Sequence, residues 1–270
     1  MNLLVAENLT VRYGGYTALD RVSLPPLDRG QIVGVIGPNA SGKSTLLRAL
    51  ADGSVQEGTA RLAGRPLDQI SAGERRRLLA LLPQSLPQPS ALYAYELVMA
   101  HARAANLGLS GRELEERVSD IFERLELTAL ALRPLRELSG GKRQLVGVAM
   151  TFVRQPQLLL LDEPTSALDL RWQFILMAQV RSFVDRRQAG CIVALHDVNI
   201  ALRYCDAVVL LDGGRVAASG TPGTVVTREN LAKVYGVEAD VRVLEHGHTA
   251  VAIHGPINKG REHAQVDKQF

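Results

Sequence analysis

The sequence predicts an α/β fold with a helical segment inserted into it, and three observations carry that prediction. The apolar run Gln31–Ile36 rises into a glycine-rich turn and then a helix beginning near Lys43, a strand–turn–helix order that opens a nucleotide-type core. From Leu158 onward, strand and helix alternate: strand Leu158–Leu161, helix Leu170–Arg187, strand Cys191–Leu195, helix Val198–Tyr204 and strand Ala207–Leu211, which closes on Asp212-Gly213-Gly214. Between these two stretches, residues 84–150 read as helical.

In order along the chain, Leu3–Tyr13 and Thr17–Leu24 read as strands, the first an edge strand, and Thr59–Ala63 and Leu78–Leu82 as two more. Pro83, Pro87 and Pro89 then stop regular structure, because proline lacks the backbone donor that either element needs. Tyr93–Asn106 reads as a helix. Ser110 and Glu113 have the spacing of a capping box, and Leu114, Val118, Ile121 and Leu125 recur on one face of the helix it opens. The segment after Gly236 is of mixed character, and no internal repeat is present.

Composition bounds the function. The 270 residues are 46% apolar and 22% charged, enough to bury a sizeable core and too apolar for wholesale disorder. Thirty-one basic against 28 acidic residues leave a net charge of +3, a small surplus that excludes a dedicated nucleic-acid binder while allowing a local phosphate site. Cys191 and Cys205 lack any CxxC spacing and read as buried, reduced thiols. Met1–Tyr13 lacks the basic start of a signal peptide, and the longest apolar runs fall under half of the roughly 20 residues a bilayer helix requires. If this protein works at a membrane, another chain supplies the membrane-spanning part.

The chemistry concentrates in three motifs. In Gly37-Pro38-Asn39-Ala40-Ser41-Gly42-Lys43-Ser44, followed by Thr45, the glycines let backbone N–H groups wrap an anion. Lys43 reaches the β and γ phosphates and Ser44 offers a hydroxyl to Mg²⁺, so the loop predicts ATP or GTP binding. The strand 158–161 ends in Asp162 and Glu163, the first placed to hold Mg²⁺ and the second to orient or deprotonate an attacking water. A buried strand ending in solvated acids would account for the second motif alone, but not for both together. The third motif, Leu138-Ser139-Gly140-Gly141-Lys142-Arg143-Gln144, feeds a helix N-terminus whose free N–H groups favour phosphate oxygen.

With this third motif the sequence resembles the ATP-binding subunit of ABC transporters, over about residues 1–240, with the matching motifs in the family's order. The resemblance implies a P-loop NTPase with a RecA-like core, an N-terminal antiparallel β subdomain and an inserted helical subdomain. One ATPase domain then spans 1–240, with 1–83 and 151–240 as core and 84–150 as helical subdomain, and 241–270 is a C-terminal tail. It further implies that Tyr13 stacks on adenine, that Gln84 contacts Mg²⁺ and the attacking water, and that His196 senses the γ phosphate. Family members work as head-to-tail pairs, each nucleotide held between one chain's phosphate loop and the other's signature, here Ser139, Gly140 and Gly141, which suits a homodimer. The implied cofactors are ATP and Mg²⁺. The implied partners are a second copy, an integral-membrane permease and, indirectly, a periplasmic or surface substrate-binding protein, with the chain peripheral on the cytoplasmic face of the inner membrane and no nucleic acid involved.

Asp162–Gln173 and Glu229–Val237 resemble the importers of Fe³⁺-siderophores, haem and cobalamin. An exporter ATPase and a soluble ABC-type ATPase acting on DNA or ribosomes are the alternatives, but the DNA-acting relatives interrupt the core with hundreds of coiled-coil residues. Two departures stand out. Ala40 replaces the glycine common in the family and disfavours a positive φ. Lys142 replaces a common Gln or Glu, adding positive charge near a phosphate. The tail carries His246, His248, His254 and His263, which read as a solvated segment rather than a metal site.

Overall fold

The structure is a computed structural model describing residues 2–257 apart from 86, 245, 246 and 248. The chain begins with β1 (Leu4–Tyr13) and β2 (Tyr16–Val22), joined at the Gly14-Gly15 turn. β3 (Ile32–Ile36) leads into α1 (Lys43–Asp52), followed by β4 (Glu57–Leu62), β5 (Arg65–Pro66), α2 (Ala72–Leu78) and β6 (Leu79–Leu82). The insert holds α3 (Ala94–Ala104), α4 (Gly111–Arg124) and α5 (Gly140–Phe152). β7 (Leu158–Asp162), α6 (Leu170–Arg187), β8 (Gly190–Ala194), α7 (Val198–Tyr204), β9 (Ala207–Asp212) and β10 (Arg215–Gly220) complete the core.

Two sheets result. One is antiparallel, ordered β2-β1-β4-β5, so β1 is an interior strand paired on both sides and not the edge strand expected; the other has six strands ordered β10-β9-β3-β8-β7-β6, in which all neighbouring strands but β10 run parallel. Every residue of β3, β7 and β8 is buried, which is why these strands read as continuous apolar runs rather than as alternations. Within β7 the side chains still divide by face. Leu158 and Leu160 join α1 and the antiparallel sheet, while Leu159 and Leu161 join the helices of the other layer.

Local chemistry explains the insert. Ser110 accepts from the Glu113 N–H and Glu113 returns a bond to the Ser110 N–H at 2.8 Å, the expected capping box, and Leu114, Val118 and Ile121 turn inward. No helix or strand forms between β6 and α3 among the described residues, where the prolines fall. The two cysteines are free and buried, and burial pushes the Cys205 thiol up to about 12.

The segment after Gly236 differs from its reading as a mixed tail from 241. β11 (Val237–Val243) pairs antiparallel with β12 (Thr249–Pro256), so the boundary at 240 falls inside a strand. Asn199 of α7 fastens β12 by donating to the Val251 carbonyl at 3.3 Å and accepting the Val251 N–H at 2.7 Å. His254 lies on this hairpin, 3.4 Å from Asp240, while His246, His248 and His263 lie outside the described residues.

Candidate nucleotide site

The six-stranded sheet brings the strand ends of β3 and β7 to the same edge, with β8 between them. The loop after β3 folds back over α1 through two positive-φ glycines. A Cβ at Gly37 (φ 150°) would meet the Leu211 carbonyl oxygen at 2.3 Å, and one at Gly42 (φ 105°) the Leu19 side chain at 2.6 Å, so neither position admits a side chain. Ala40 also sits at positive φ, 61°, the conformation its Cβ disfavours, and the loop holds it there.

A cleft of about 360 Å³ opens on this loop, lined by Tyr13, Asn39–Thr45, Gln84 and Glu163. Lys43 is buried at its floor, where Nζ donates to the carbonyls of Gly37 at 2.8 Å and Pro38 at 3.0 Å. Burial lowers its pKa, and Glu163 and Asp162 act against that shift. Among the described residues Lys43 Nζ hydrogen-bonds only neutral carbonyls, so an anion entering the cleft displaces no carboxylate partner from it.

Behind the loop, Ser44 Oγ donates to Asp162 Oδ1 at 2.9 Å. Asp162 is fully buried, its Oδ2 has no hydrogen-bond partner among the described residues, and burial raises its pKa despite the Ser44 bond. A carboxylate oxygen without a donor beside a hydroxyl is a hard-oxygen set that fits Mg²⁺.

Glu163 converges with two more polar groups. Its Oε2 accepts from Gln84 Nε2 at 2.8 Å, and its Oε1 lies 2.6 Å from His196 Nε2, with the carboxylate nearly buried and the imidazole 44% exposed. The glutamate backbone takes φ 52°, a left-handed conformation costing about 1–2 kcal/mol for a residue with a Cβ. Such strain at a convergent polar site is the pattern of a group held for chemistry.

Ser139, Gly140 and Gly141 are not brought to this cleft. They open α5 and line a separate one with Lys142, Asp169 and Trp172, where Ser139 Oγ caps the helix by accepting the Lys142 N–H at 3.4 Å. Gly141 is required by close approach, since a Cβ there would lie 2.8 Å from the Ala167 carbonyl oxygen. Tyr16 was missed by sequence reasoning. It pairs with Tyr13 across the Gly14-Gly15 turn, lines the phosphate-loop cleft and is 62% exposed. Two tyrosines flanking a glycine pair were the available signal.

The sequence pattern of the ABC transporter family matches residues 19–166, which run from β2 through the phosphate loop and the signature turn to just beyond Glu163. The chain belongs to the ABC transporter family. Among its relatives, the hemin import ATP-binding protein HmuV of Pseudomonas aeruginosa is 41% identical over 258 residues, covering 92% of this chain and 99% of that protein. HmuV of Streptomyces coelicolor is 39% identical over 255 residues, 93% of this chain and 89% of that one. Solved structures agree: cbiO1 of Clostridium perfringens, part of a cbiONQ transporter complex, superposes with a TM-score of 0.73 at 27% identity, over 86% of this chain and 93% of that chain. A dimeric ATP-binding cassette in a post-hydrolysis state bound to ADP and Pi gives 0.72 at 26% identity, over 81% and 98%. This ABC protein is thus an ABC-type ATPase with the α/β core and inserted helices expected of the family.

Proposed function

We propose that this chain is the ATP-hydrolysing subunit of an ABC importer, with hemin as its cargo class and Fe³⁺-siderophore or cobalamin as the neighbouring options. The observation that carries hydrolysis is Glu163, a single buried carboxylate gripped by Gln84 and His196 at the mouth of a phosphate loop. ATP enters with adenine against Tyr13 and Tyr16 and its phosphates along the N–H groups of residues 39–45. Lys43 exchanges its two carbonyl acceptors for β- and γ-phosphate oxygens, which accept charge-assisted bonds. Asp162, Ser44 and Gln84 would hold Mg²⁺. When bound, the ion neutralises negative charge developing on the β and γ phosphates.

Glu163 orients a water and draws off its proton as the water oxygen bonds to the γ phosphorus and the bond to the ADP oxygen breaks. Gln84 holds one carboxylate oxygen and His196 the other, so the base faces the cleft in one orientation. The signature group Ser139–Gly141 completes the site of a second copy across a two-fold axis. No helix among the described residues is long and apolar enough to cross a membrane. The likeness to import ATP-binding proteins supports a peripheral subunit on the cytoplasmic face that drives a separate permease, fed by a substrate-binding protein.

The import direction and cargo rest on relatives named for hemin import at 39–41% identity. Proteoliposomes holding this chain with its permease test them: ATP-dependent hemin uptake is expected. Uptake of a Fe³⁺-siderophore but not hemin moves the cargo, and intact ATPase activity with no uptake of any of these cargoes ends the importer reading.

A further inference from the structure

Gln84 and His196 grip Glu163 by its carboxylate, but its backbone belongs to the turn 163–168 that leads from β7 towards α6. The turn starts where the Glu163 N–H donates to the Ala194 carbonyl of β8 at 3.2 Å. It folds back on itself through Ser166, whose N–H and Oγ both donate to the Glu163 carbonyl, at 3.2 and 3.0 Å, and through the Leu168 N–H, which donates to the Thr165 carbonyl at 3.1 Å. These bonds close the turn on itself and on β8. None of them ties it to the helix that follows.

Gln173, half-buried near the start of α6, supplies that tie. Its Nε2 donates to the Leu168 carbonyl at 3.0 Å and to the Thr165 carbonyl at 3.3 Å. Among the described residues, no other side chain from outside residues 164–168 hydrogen-bonds their backbone. A primary amide carries two N–H groups on one nitrogen, so one side chain answers both carbonyls, and two acceptors fix which end of the amide faces them. At its far end the turn lies against α5, where the Ala167 carbonyl oxygen is 2.8 Å from the place of a Cβ on Gly141. With its ends held at β8 and α5 and its middle held by Gln173, the turn keeps the Glu163 backbone at φ 52°.

We infer that Gln173 is a positioning residue for hydrolysis: by clamping Thr165 and Leu168 to α6 it sets where the Glu163 carboxylate meets the attacking water. The inference rests on the role proposed for Glu163 above and extends it to a side chain outside the cleft. Rates respond steeply to such placement, since a shift of about 1 Å in a reacting group costs on the order of a hundredfold.

The test uses the full chain with MgATP. Gln173→Met keeps the side-chain length and removes both donors, and Gln173→Glu keeps the shape but turns an acceptor toward the two carbonyls. Turnover is counted per bound nucleotide, so that misfolded molecules do not contribute. In both variants kcat is expected to fall about tenfold or more while KM for ATP stays within about twofold, because Lys43 and the phosphate loop are untouched. A double-mutant cycle separates positioning from general support. Placed on Glu163→Gln, Gln173→Met is expected to lower the residual single-turnover rate by less than about twofold, since a residue acting through the carboxylate has nothing left to position. A drop as large as in the wild-type background would make Gln173 an independent structural contributor and overturn the inference, as would an unchanged kcat in the single variants. Wild-type turnover by Glu163→Gln itself is a separate outcome: it would overturn the role of Glu163 and the inference with it.

Discussion

The phosphate-loop cleft and the signature cleft are built alike and end up chemically unlike. Each measures about 360 Å³, and each sits at the N-terminus of a helix entered through a Ser/Gly turn, α1 in one and α5 in the other. Unpaired N–H groups at both ends favour an anion. Only the first adds a buried lysine and two buried carboxylates from the end of β7. At the second, the acid Asp169 is already occupied as the cap of α6, accepting the Trp172 N–H at 3.1 Å, and the serine caps its own helix. On the proposed reading, a helix N-terminus supplies affinity for phosphate, while reaction requires acids delivered by the sheet.

The sharpest way to break this contrast is to remove the acid that the second cleft lacks. Glu163→Gln keeps the side-chain volume and the strained backbone, so MgATP binding is expected to persist while hydrolysis falls by roughly 10² to 10⁴. Phosphate release with a matched binding titration reads both; wild-type turnover would make the two clefts chemically equivalent. Next in size, Lys43→Ala removes several charge-assisted bonds together, and affinity for a fluorescent nucleotide at fixed Mg²⁺ is expected to drop about 10- to 100-fold. Unchanged affinity would mean that the loop's N–H groups suffice, as at the signature turn.

Ser139→Arg probes the other side. It places bulk and charge at the α5 N-terminus and removes a cap worth about 1 kcal/mol, so a modest loss of thermal stability is expected. ATP binding by the single chain should stay within about twofold of wild type. ATP-driven pairing of a Glu163→Gln background should vanish in size-exclusion chromatography, and a variant that still pairs would show that the signature cleft meets no nucleotide across the interface.

The smallest effect concerns Ala40, held at φ 61°. Ala40→Gly relieves a left-handed conformation costing about 1–2 kcal/mol but gives the unfolded chain more freedom, worth about 0.4–1 kcal/mol. Melting temperature is expected to change little and nucleotide affinity to rise by less than about fivefold. A large destabilisation would mean that the alanine methyl, not the backbone, organises the loop.

Much of this was legible because it is local. A glycine turn after a buried strand, an apolar run ending in two acids and a capping box are each written within about ten residues. Helix Leu170–Arg187 and helix Val198–Tyr204 occur with the bounds read from periodicity. The hairpin beyond Gly236 was missed although Val237, Ala239, Val241 and Val243 alternate with Glu238, Asp240 and Arg242, because its burial comes from contact with α7 rather than from its own composition. Tyr16 was missed for a similar reason, since its place on the cleft is set by the register Tyr13↔Tyr16.

The sequence by itself determined which groups this chain carries for phosphate chemistry and in what order they appear. It also determined where a positive φ comes without a Cβ penalty, because the missing Cβ belongs to a single residue, while Ala40 and Glu163 take positive φ without glycine. What only the tertiary structure decided is which of those groups meet. Strand order puts β8 between β3 and β7, so Ser44 reaches Asp162 at 2.9 Å across 118 residues, and Gln84 and His196 grip the same carboxylate from opposite sides in sequence. The same packing sent Ser139 to a different cleft. Sheet pairing and helix packing are collective, fixed by burying both faces of one sheet at once, and no window of the chain contains that constraint.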